Sequence, residues 1–94
     1  MEIIWAPEAA DDLDAVVVYL TGRNPAAARA LAEAVLTLVE RLASEPIDGP
    51  VCELRTGEKV SSWPLRPFRI YYQREQSVLR VVRVYHQKRE PIAR

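Results

Sequence analysis

Apolar residues near the start of the chain recur at the spacing of one helical face. Steps of three, one and three positions separate Leu13, Val16, Val17 and Leu20. Pro7 precedes this run, and proline is tolerated in the first turn of a helix because the missing N–H would have no partner there. Gly22 follows the run and is a common residue at helix ends. The pattern predicts a first helix over residues 7–21.

A second helical run begins after only three further residues. Asn24 and Pro25 form a start signal, in which an N-cap side chain is followed by proline at the first helical position. Spacings of three and four then give a stripe of Ala28, Leu31, Val35, Leu38 and Leu42, which Leu36 and Val39 widen. Pro46 ends the run, so a second helix is predicted over residues 25–44. Because the connection is short, we expect an antiparallel helical hairpin.

Sequence typical of β-strands flanks the hairpin on both sides. The predicted strands are residues 2–5, 51–55, 59–63, 69–75 and 78–86. A short polar turn separates the last two, and the sequence fits a turn of either two or three residues, which leaves their register open. The order β-α-α-β-β-β-β predicts an α+β fold, with the helical hairpin on one face of a mainly antiparallel sheet.

The length and the charge distribution of the chain add two constraints. Ninety-four residues suffice for one core and not for two, so a single domain is predicted over residues 1–94. The formal net charge is zero, but residues 1–50 hold three arginines and nine acidic residues, a balance of −6, and residues 51–94 carry +6. This asymmetry indicates either one face that attracts anions or two halves that neutralise each other across the fold.

Several kinds of site are excluded by residue type and number. Cys52 is the only cysteine and cannot form an internal disulfide, which fits a reducing cytoplasm. One cysteine and one histidine cannot complete a zinc site, and no phosphate-binding or dinucleotide fingerprint is present, so we expect neither a metal nor a cofactor. No secretory signal and no apolar stretch of about 18 residues is found. We therefore expect a cytoplasmic protein that does not enter a membrane.

Basic residues recur within the strand-forming sequence of the second half, among tyrosines. They are Arg69, Arg74, Arg80, Arg83, Lys88 and Arg89, with Tyr71, Tyr72 and Tyr85 between them. Such a pattern indicates a surface for phosphate or for an acidic partner. The alternatives are that Arg80 and Arg83 pair with the acidic helices and that the tyrosines pack in the core. His86, the only histidine, is either structural or an acid–base group near neutral pH.

Five segments, taken in order, are similar to a known family. They are W-A-P-E-A-A-D-D-L-D-A-V-V-V-Y-L, N-P-A-A-A-R-A-L, V-E-R-L-A-S-E-P, F-R-I-Y-Y-Q and V-V-R-V-Y-H-Q-K-R-E. Over nearly the whole chain they resemble the RelE/ParE superfamily of bacterial type II toxins, the toxic halves of toxin–antitoxin modules. The resemblance implies a toxin that inhibits growth, of the kind associated with plasmid stabilisation.

The two branches of this superfamily act on different targets. RelE-type members cleave messenger RNA on the ribosome with arginines of the last strands and a tyrosine near the C-terminus. In this chain Arg69 and Arg89 stand at the arginine positions of the family. No tyrosine follows Arg89, so His86 would have to take the role of the tyrosine. ParE-type members lack the nuclease residues and are described as poisoning DNA gyrase, and the opening segment and long helical hairpin favour this branch. On that hypothesis the protein is not an enzyme, and Arg83, Lys88 and Arg89 contact the target.

The resemblance also implies the partners. A cognate antitoxin is expected to wrap the toxin with a helix and an extended segment, to form a hetero-oligomer with it, and to bind operator DNA itself. The antitoxin segment should be acidic where it meets the basic C-terminal half. The target is DNA gyrase or, for the RelE-like alternative, ribosome-bound messenger RNA. A hypothesis of another class is a non-catalytic interaction module or a degenerate toxin.

Overall fold

A computed structural model of the chain describes residues 1–86 and the backbone of residues 92–93. Helices and strands follow each other in the predicted order, and one short strand is added at the end. The elements are β1 (Glu2–Trp5), α1 (Pro7–Thr21), α2 (Pro25–Ser44), β2 (Val51–Leu54), β3 (Lys59–Leu65), β4 (Phe68–Glu75), β5 (Val78–His86) and β6 (Ile92–Ala93).

Both helices begin and end at the predicted residues. Pro7 and Pro25 occupy their first turns, and the side-chain oxygen of Asn24 accepts a hydrogen bond from the backbone N–H of Ala27 at 3.1 Å. This cap stabilises α2 because it gives a partner to one of the first N–H groups, which have none within the helix. The two helices pack against each other as a hairpin. Neither helix of residues 1–86 is long and apolar enough to cross a membrane.

The strands form one sheet in the order β1-β5-β4-β3-β2-β6. β1 runs parallel to β5, and all other neighbouring strands are antiparallel. The predicted helical hairpin on a mainly antiparallel sheet is thus confirmed. β3 is longer than predicted and continues through Pro64 to Leu65. Proline fits there because β2 pairs only with residues 59–61 of β3, so no ladder hydrogen bond to β2 is lost.

A two-residue turn joins β4 and β5, and this settles the register that the sequence left open. A β-bulge interrupts the pairing: Tyr72 lies opposite Val81, Tyr71 lies opposite Arg83, and Val82 is the extra residue of β5. Because residues paired across a ladder have side chains on the same face, the bulge places Arg83 on the face of Tyr71.

Apolar side chains are buried on both faces of the sheet. On the helix-facing side the core includes Val35, Val39 and Leu42 of α2 and Ile70, Tyr72, Leu79 and Val81 of the sheet. On the opposite face a smaller cluster contains Leu54, Val60, Tyr71 and Val82. Tyrosines therefore contribute to both clusters, as the core alternative for these residues predicts.

One residue of the predicted α2 stripe is not buried. Leu36 is 50 % exposed, whereas Val35 and Val39 are almost fully buried. The expectation that Leu36 widens the buried stripe is wrong, because each helical position is rotated by about 100° from the one before it. When Val35 and Val39 point at the sheet, Leu36 points away from it.

Asp48 connects the segment after α2 to β4. Its Oδ1 accepts hydrogen bonds from the Tyr72 hydroxyl and the Arg74 guanidinium, each at 3.1 Å. The Tyr72 hydroxyl accepts one from the backbone N–H of Gly49 at 3.0 Å. Burial raises the pKa of Tyr72 above its ordinary value. Glycine is required at position 49 because a Cβ would collide with the carbonyl group of Ser62.

Candidate functional site

Arg83 and Asp12 join β5 to α1 through a bidentate ion pair. The Nε and Nη2 atoms of Arg83 lie 2.8 and 2.9 Å from Oδ2 and Oδ1 of Asp12. The side chains are 30 % and 12 % exposed, respectively, so the pair is partly shielded from water. The hydrogen bonds from Arg83 to the Asp12 carboxylate raise the pKa of Arg83. This geometry is that of the strong, planar arginine–carboxylate pair.

The same carboxylate holds the backbone of β5. Oδ2 of Asp12 also accepts a hydrogen bond from the backbone N–H of Val84 at 3.0 Å. β1 pairs with β5 only as far as Val81, so Asp12 supplies an acceptor beyond the point where the strand partner ends. The Arg83 guanidinium lies 4.3 Å from the ring centroid of Tyr85, within the range of a cation–π contact. We call Asp12, Arg83 and Tyr85 the β5 clamp.

Arg69 lies on the sheet face opposite the helices. Its Nε donates a hydrogen bond to Oγ of the buried Ser62 at 2.9 Å. Across the ladder it is paired with Tyr85, whose ring meets that of Tyr71 edge to face with centroids 5.8 Å apart. Arg69 therefore belongs to the same face as the two tyrosines and Arg83.

His86 lies on the helix-facing side. Its ring packs edge to face against Phe68, a residue of the main core, with centroids 5.4 Å apart. Phe68 is paired with His86, and the next pair along the ladder is Arg69 with Tyr85. Because side chains alternate along a strand, Arg69 and His86 point to opposite faces of the sheet. The structure does not bring these two predicted catalytic residues together.

The remaining predicted site residues differ in what the structure says of them. Lys88 and Arg89 lie outside the described residues, so their predicted roles remain predictions. Arg83 pairs with an acidic residue of α1, as one alternative from the sequence proposes, and its predicted contact with the target also stays a prediction. Arg80 forms no ion pair with any residue between 1 and 86.

An apolar groove of about 820 Å³ separates the helical hairpin from the turn between β3 and β4. The lining residues of the helices are Ala15, Val16, Tyr19 and Leu20 of α1 and Ala27, Ala30, Leu31 and Ala34 of α2. The sheet contributes Leu65, Phe68 and Val84, and the charged or titratable side chains at the groove are Asp11, Asp12, Arg66 and His86.

The groove exists because the helices cover only part of the sheet. They pack mainly against β1 and β5, which leaves Trp63 and Leu65 of β3 only partly buried. The side of α2 that faces the groove carries alanines at positions 27, 30 and 34, and their short side chains leave the space of the groove unfilled. The sequence reasoning missed this groove, although the spacing of these alanines along one side of α2 was a usable signal.

No cluster of three or more histidine, cysteine, aspartate or glutamate side chains that could hold a metal ion occurs in the described part of the chain. The side chains of the β5 clamp and of the groove are arginine, tyrosine, histidine, aspartate and apolar groups. These residue types are suited to binding proteins and anions.

Both the sequence and the fold match known proteins. A family model described as the ParE toxin of the type II toxin-antitoxin system, parDE, matches residues 3–91. A solved chain of the chromosomal ParDE TA system from P. aeruginosa is similar in fold, with a TM-score of 0.75 and 21 % sequence identity. The likeness covers 92 % of this chain and 95 % of that one. No curated protein sequence matches this chain.

Proposed function

The chain belongs to the ParE toxin family of type II toxin–antitoxin systems, and we propose that it is a toxin that inhibits growth until its antitoxin binds it. The observation that carries this proposal is the family match, which extends over residues 3–91 and so includes both helices, β2 to β5 and all of β1 except Glu2. Membership of the RelE/ParE superfamily, in its ParE branch, was predicted from the sequence and is confirmed.

We further propose that the target is DNA gyrase in the cytoplasm and that the protein acts without hydrolysing RNA. Cleavage through the 2′-hydroxyl needs a proton acceptor, a proton donor and cations around one phosphate. Arg69 and His86 lie on opposite faces of the sheet and cannot serve one phosphate together. None of residues 90–94 is a tyrosine that could supply the missing acid–base group. These two observations support the non-hydrolytic branch.

Two assays on the purified wild-type protein test the target. We expect inhibition of supercoiling by purified gyrase and intact message when 5′ ends are mapped in translating ribosomes. Arg89→Ala should weaken the inhibition, because its guanidinium is proposed to contact the target, whereas Arg55→Ala, the same change at an exposed position of the β2–β3 turn, should not. Codon-positioned cuts with normal supercoiling would contradict the gyrase proposal.

The antitoxin is proposed to fill the groove between α2 and the β3–β4 turn with an amphipathic helix. Helices that bind grooves in this way insert apolar residues at positions i, i+3, i+4 and i+7. The alanines of α2 allow close approach, while Leu31 and Phe68 offer apolar surface. A helix seated there would also cover Leu65, which the chain's own helices leave partly exposed.

The groove also suggests the charge of the antitoxin helix. Arg66 lies at its edge and forms no ion pair within residues 1–86. Of the two aspartates that also line the groove, both on α1, Asp12 is neutralised by Arg83 and Asp11 keeps its charge without an ion pair in that range. An acidic side chain of the antitoxin would therefore pair with Arg66. This matches the acidic antitoxin segment expected from the charge of the C-terminal half.

A further inference from the structure

Arg83 was expected to contact the target, but its surroundings point to another role. We infer that Arg83 is a positioning residue: through the β5 clamp it fixes the end of β5, from which Lys88 and Arg89 follow. The inference rests on the proposed function, in which those two residues contact the target. It assigns to Asp12, a residue of the first helix, an effect on toxicity equal to that of Arg83.

The guanidinium of Arg83 is already engaged on two sides. One edge is bonded to both oxygens of Asp12 at 2.8 and 2.9 Å, and its carbon lies 4.3 Å from the ring centroid of Tyr85. A target that took over this guanidinium would leave the Asp12 carboxylate, which is only 12 % exposed, without its counter-charge. Removing one partner of such a shielded pair is strongly unfavourable.

The β5 clamp lies where the pairing of β5 with β1 ends. Up to Val81, β5 is paired with β1 on one side and with β4 on the other, and beyond Val81 only the pairing with β4 continues. There the Asp12 carboxylate accepts a hydrogen bond from the backbone N–H of Val84. Lys88 follows Tyr85 by only three positions, so the clamp is the last described attachment on this side before the basic residues. Loss of either charged partner should release the same short length of strand.

The test is a double-mutant cycle with two readouts. Asp12→Ala, Arg83→Ala and the double variant are compared by amide hydrogen exchange and by growth inhibition without antitoxin. Exchange at Val84 is measured against Leu79, which lies in the part of β5 paired with β1, so that a global loss of stability is recognised. Asp14→Ala and Arg80→Ala are the matched controls, because they remove the same charges from neighbouring positions outside the clamp.

We expect each single variant to raise exchange at Val84 by roughly tenfold to a hundredfold relative to Leu79, the range for loss of a hydrogen bond to a charged group. Asp12→Ala removes the acceptor of the Val84 N–H, and Arg83→Ala removes the guanidinium that holds this acceptor in place. The double variant should match the single variants in exchange and in reduced toxicity, since either change alone already opens the clamp. Arg83→Lys is a milder change, because lysine keeps the charge but lacks the planar fork. It should give a smaller rise in exchange at Val84 and a smaller loss of toxicity than Arg83→Ala.

Two results would overturn the inference. Full toxicity of Asp12→Ala together with loss of toxicity in Arg83→Ala would show that Arg83 itself touches the target. Unchanged exchange at Val84 in Asp12→Ala would show that the clamp does not hold the strand. A wild-type chain that is not toxic would contradict the proposed function instead, and the exchange measurement alone would then decide whether the clamp holds β5.

Discussion

Arg74 donates a hydrogen bond from Nη1 to the backbone carbonyl of Leu42 at 2.6 Å, so a residue of β4 caps the last turn of α2. Its Nη2 donates to the carbonyl of Ile47 at 2.8 Å and to Asp48 at 3.1 Å. The last carbonyls of a helix have no partner within the helix. One side chain therefore ties the end of α2 and the segment that follows it to the sheet.

The first prediction concerns this cap. Arg74→Ala should lower the free energy of unfolding by about 1.5–3 kcal/mol, the range for hydrogen bonds to a charged group. Arg80→Ala is the control and should change it by less than about 0.5 kcal/mol, because Arg80 has no ion pair in the described part of the chain. Urea denaturation of both variants measures the difference. Equal losses would show that Arg74 does not support α2.

A pair of leucines on α2 tests the packing of the hairpin. Leu38 is 5 % exposed and Leu36 is 50 % exposed. Leu38→Ala should cost about 2–5 kcal/mol of stability because it leaves a cavity against the sheet, whereas Leu36→Ala should cost less than about 0.5 kcal/mol. Thermal and urea unfolding provide the comparison. A reversed order would mean that α2 is rotated about its axis.

The third prediction is a dependence on alkaline pH. Burial raises the pKa of Tyr72 in the folded chain, so the unfolded chain loses this proton first as the pH rises. Tyr72 thus contributes stability in full below its unfolded pKa of about 10, and the contribution falls as the pH rises through the higher folded value.

Tyr72→Phe separates this contribution from other alkaline effects. The variant should be less stable than wild type at pH 8, because the hydroxyl bonds with Asp48 and Gly49 are lost. Its stability should fall less steeply between pH 8 and about pH 11, since it lacks the titrating group. Urea denaturation at several pH values gives both slopes. Parallel slopes for the two proteins would contradict the assignment to Tyr72.

The fourth prediction tests the groove as the antitoxin site. Ala30→Glu places a charge among the apolar side chains that line the groove, and it should weaken antitoxin binding at least tenfold, because a buried unpaired charge is costly. Ala26→Glu is the matched control: the same change on α2, also at an exposed position, but outside the lining. Titration calorimetry with the purified antitoxin compares the two. Equal affinities would place the antitoxin elsewhere.

Local sequence signals were enough to predict the helices. Pro7, Asn24 and Pro25 act on the residues next to them, and both helices begin and end as predicted. The hairpin and its position on a mainly antiparallel sheet followed from the order of the elements. Leu36 was misassigned because an apolar residue at the border of a stripe can turn to either side.

Features that depend on distant residues were not predictable in the same way. Arg83 and Asp12 are 71 positions apart, and no local pattern pairs them. The bulge at Val82 shifts the register of a ladder that the sequence left open. The alanines of α2 were a local signal for one wall of the groove, but the opposite wall comes from the β3–β4 turn, which no local pattern places beside α2. The sequence was therefore enough to name the candidate arginines. The sheet face on which each arginine lies, and the residue with which it pairs, could be determined only from the fold.

Growth after induced expression is the most direct measurement of the central claim that this chain is a toxin neutralised by its antitoxin. Colony counts should fall when the chain is expressed alone and recover when the protein of the adjacent reading frame is co-expressed. Ala30→Glu should remain toxic in the presence of that protein, and Ala26→Glu should be rescued. Unchanged growth on expression of the wild-type chain alone would contradict the account.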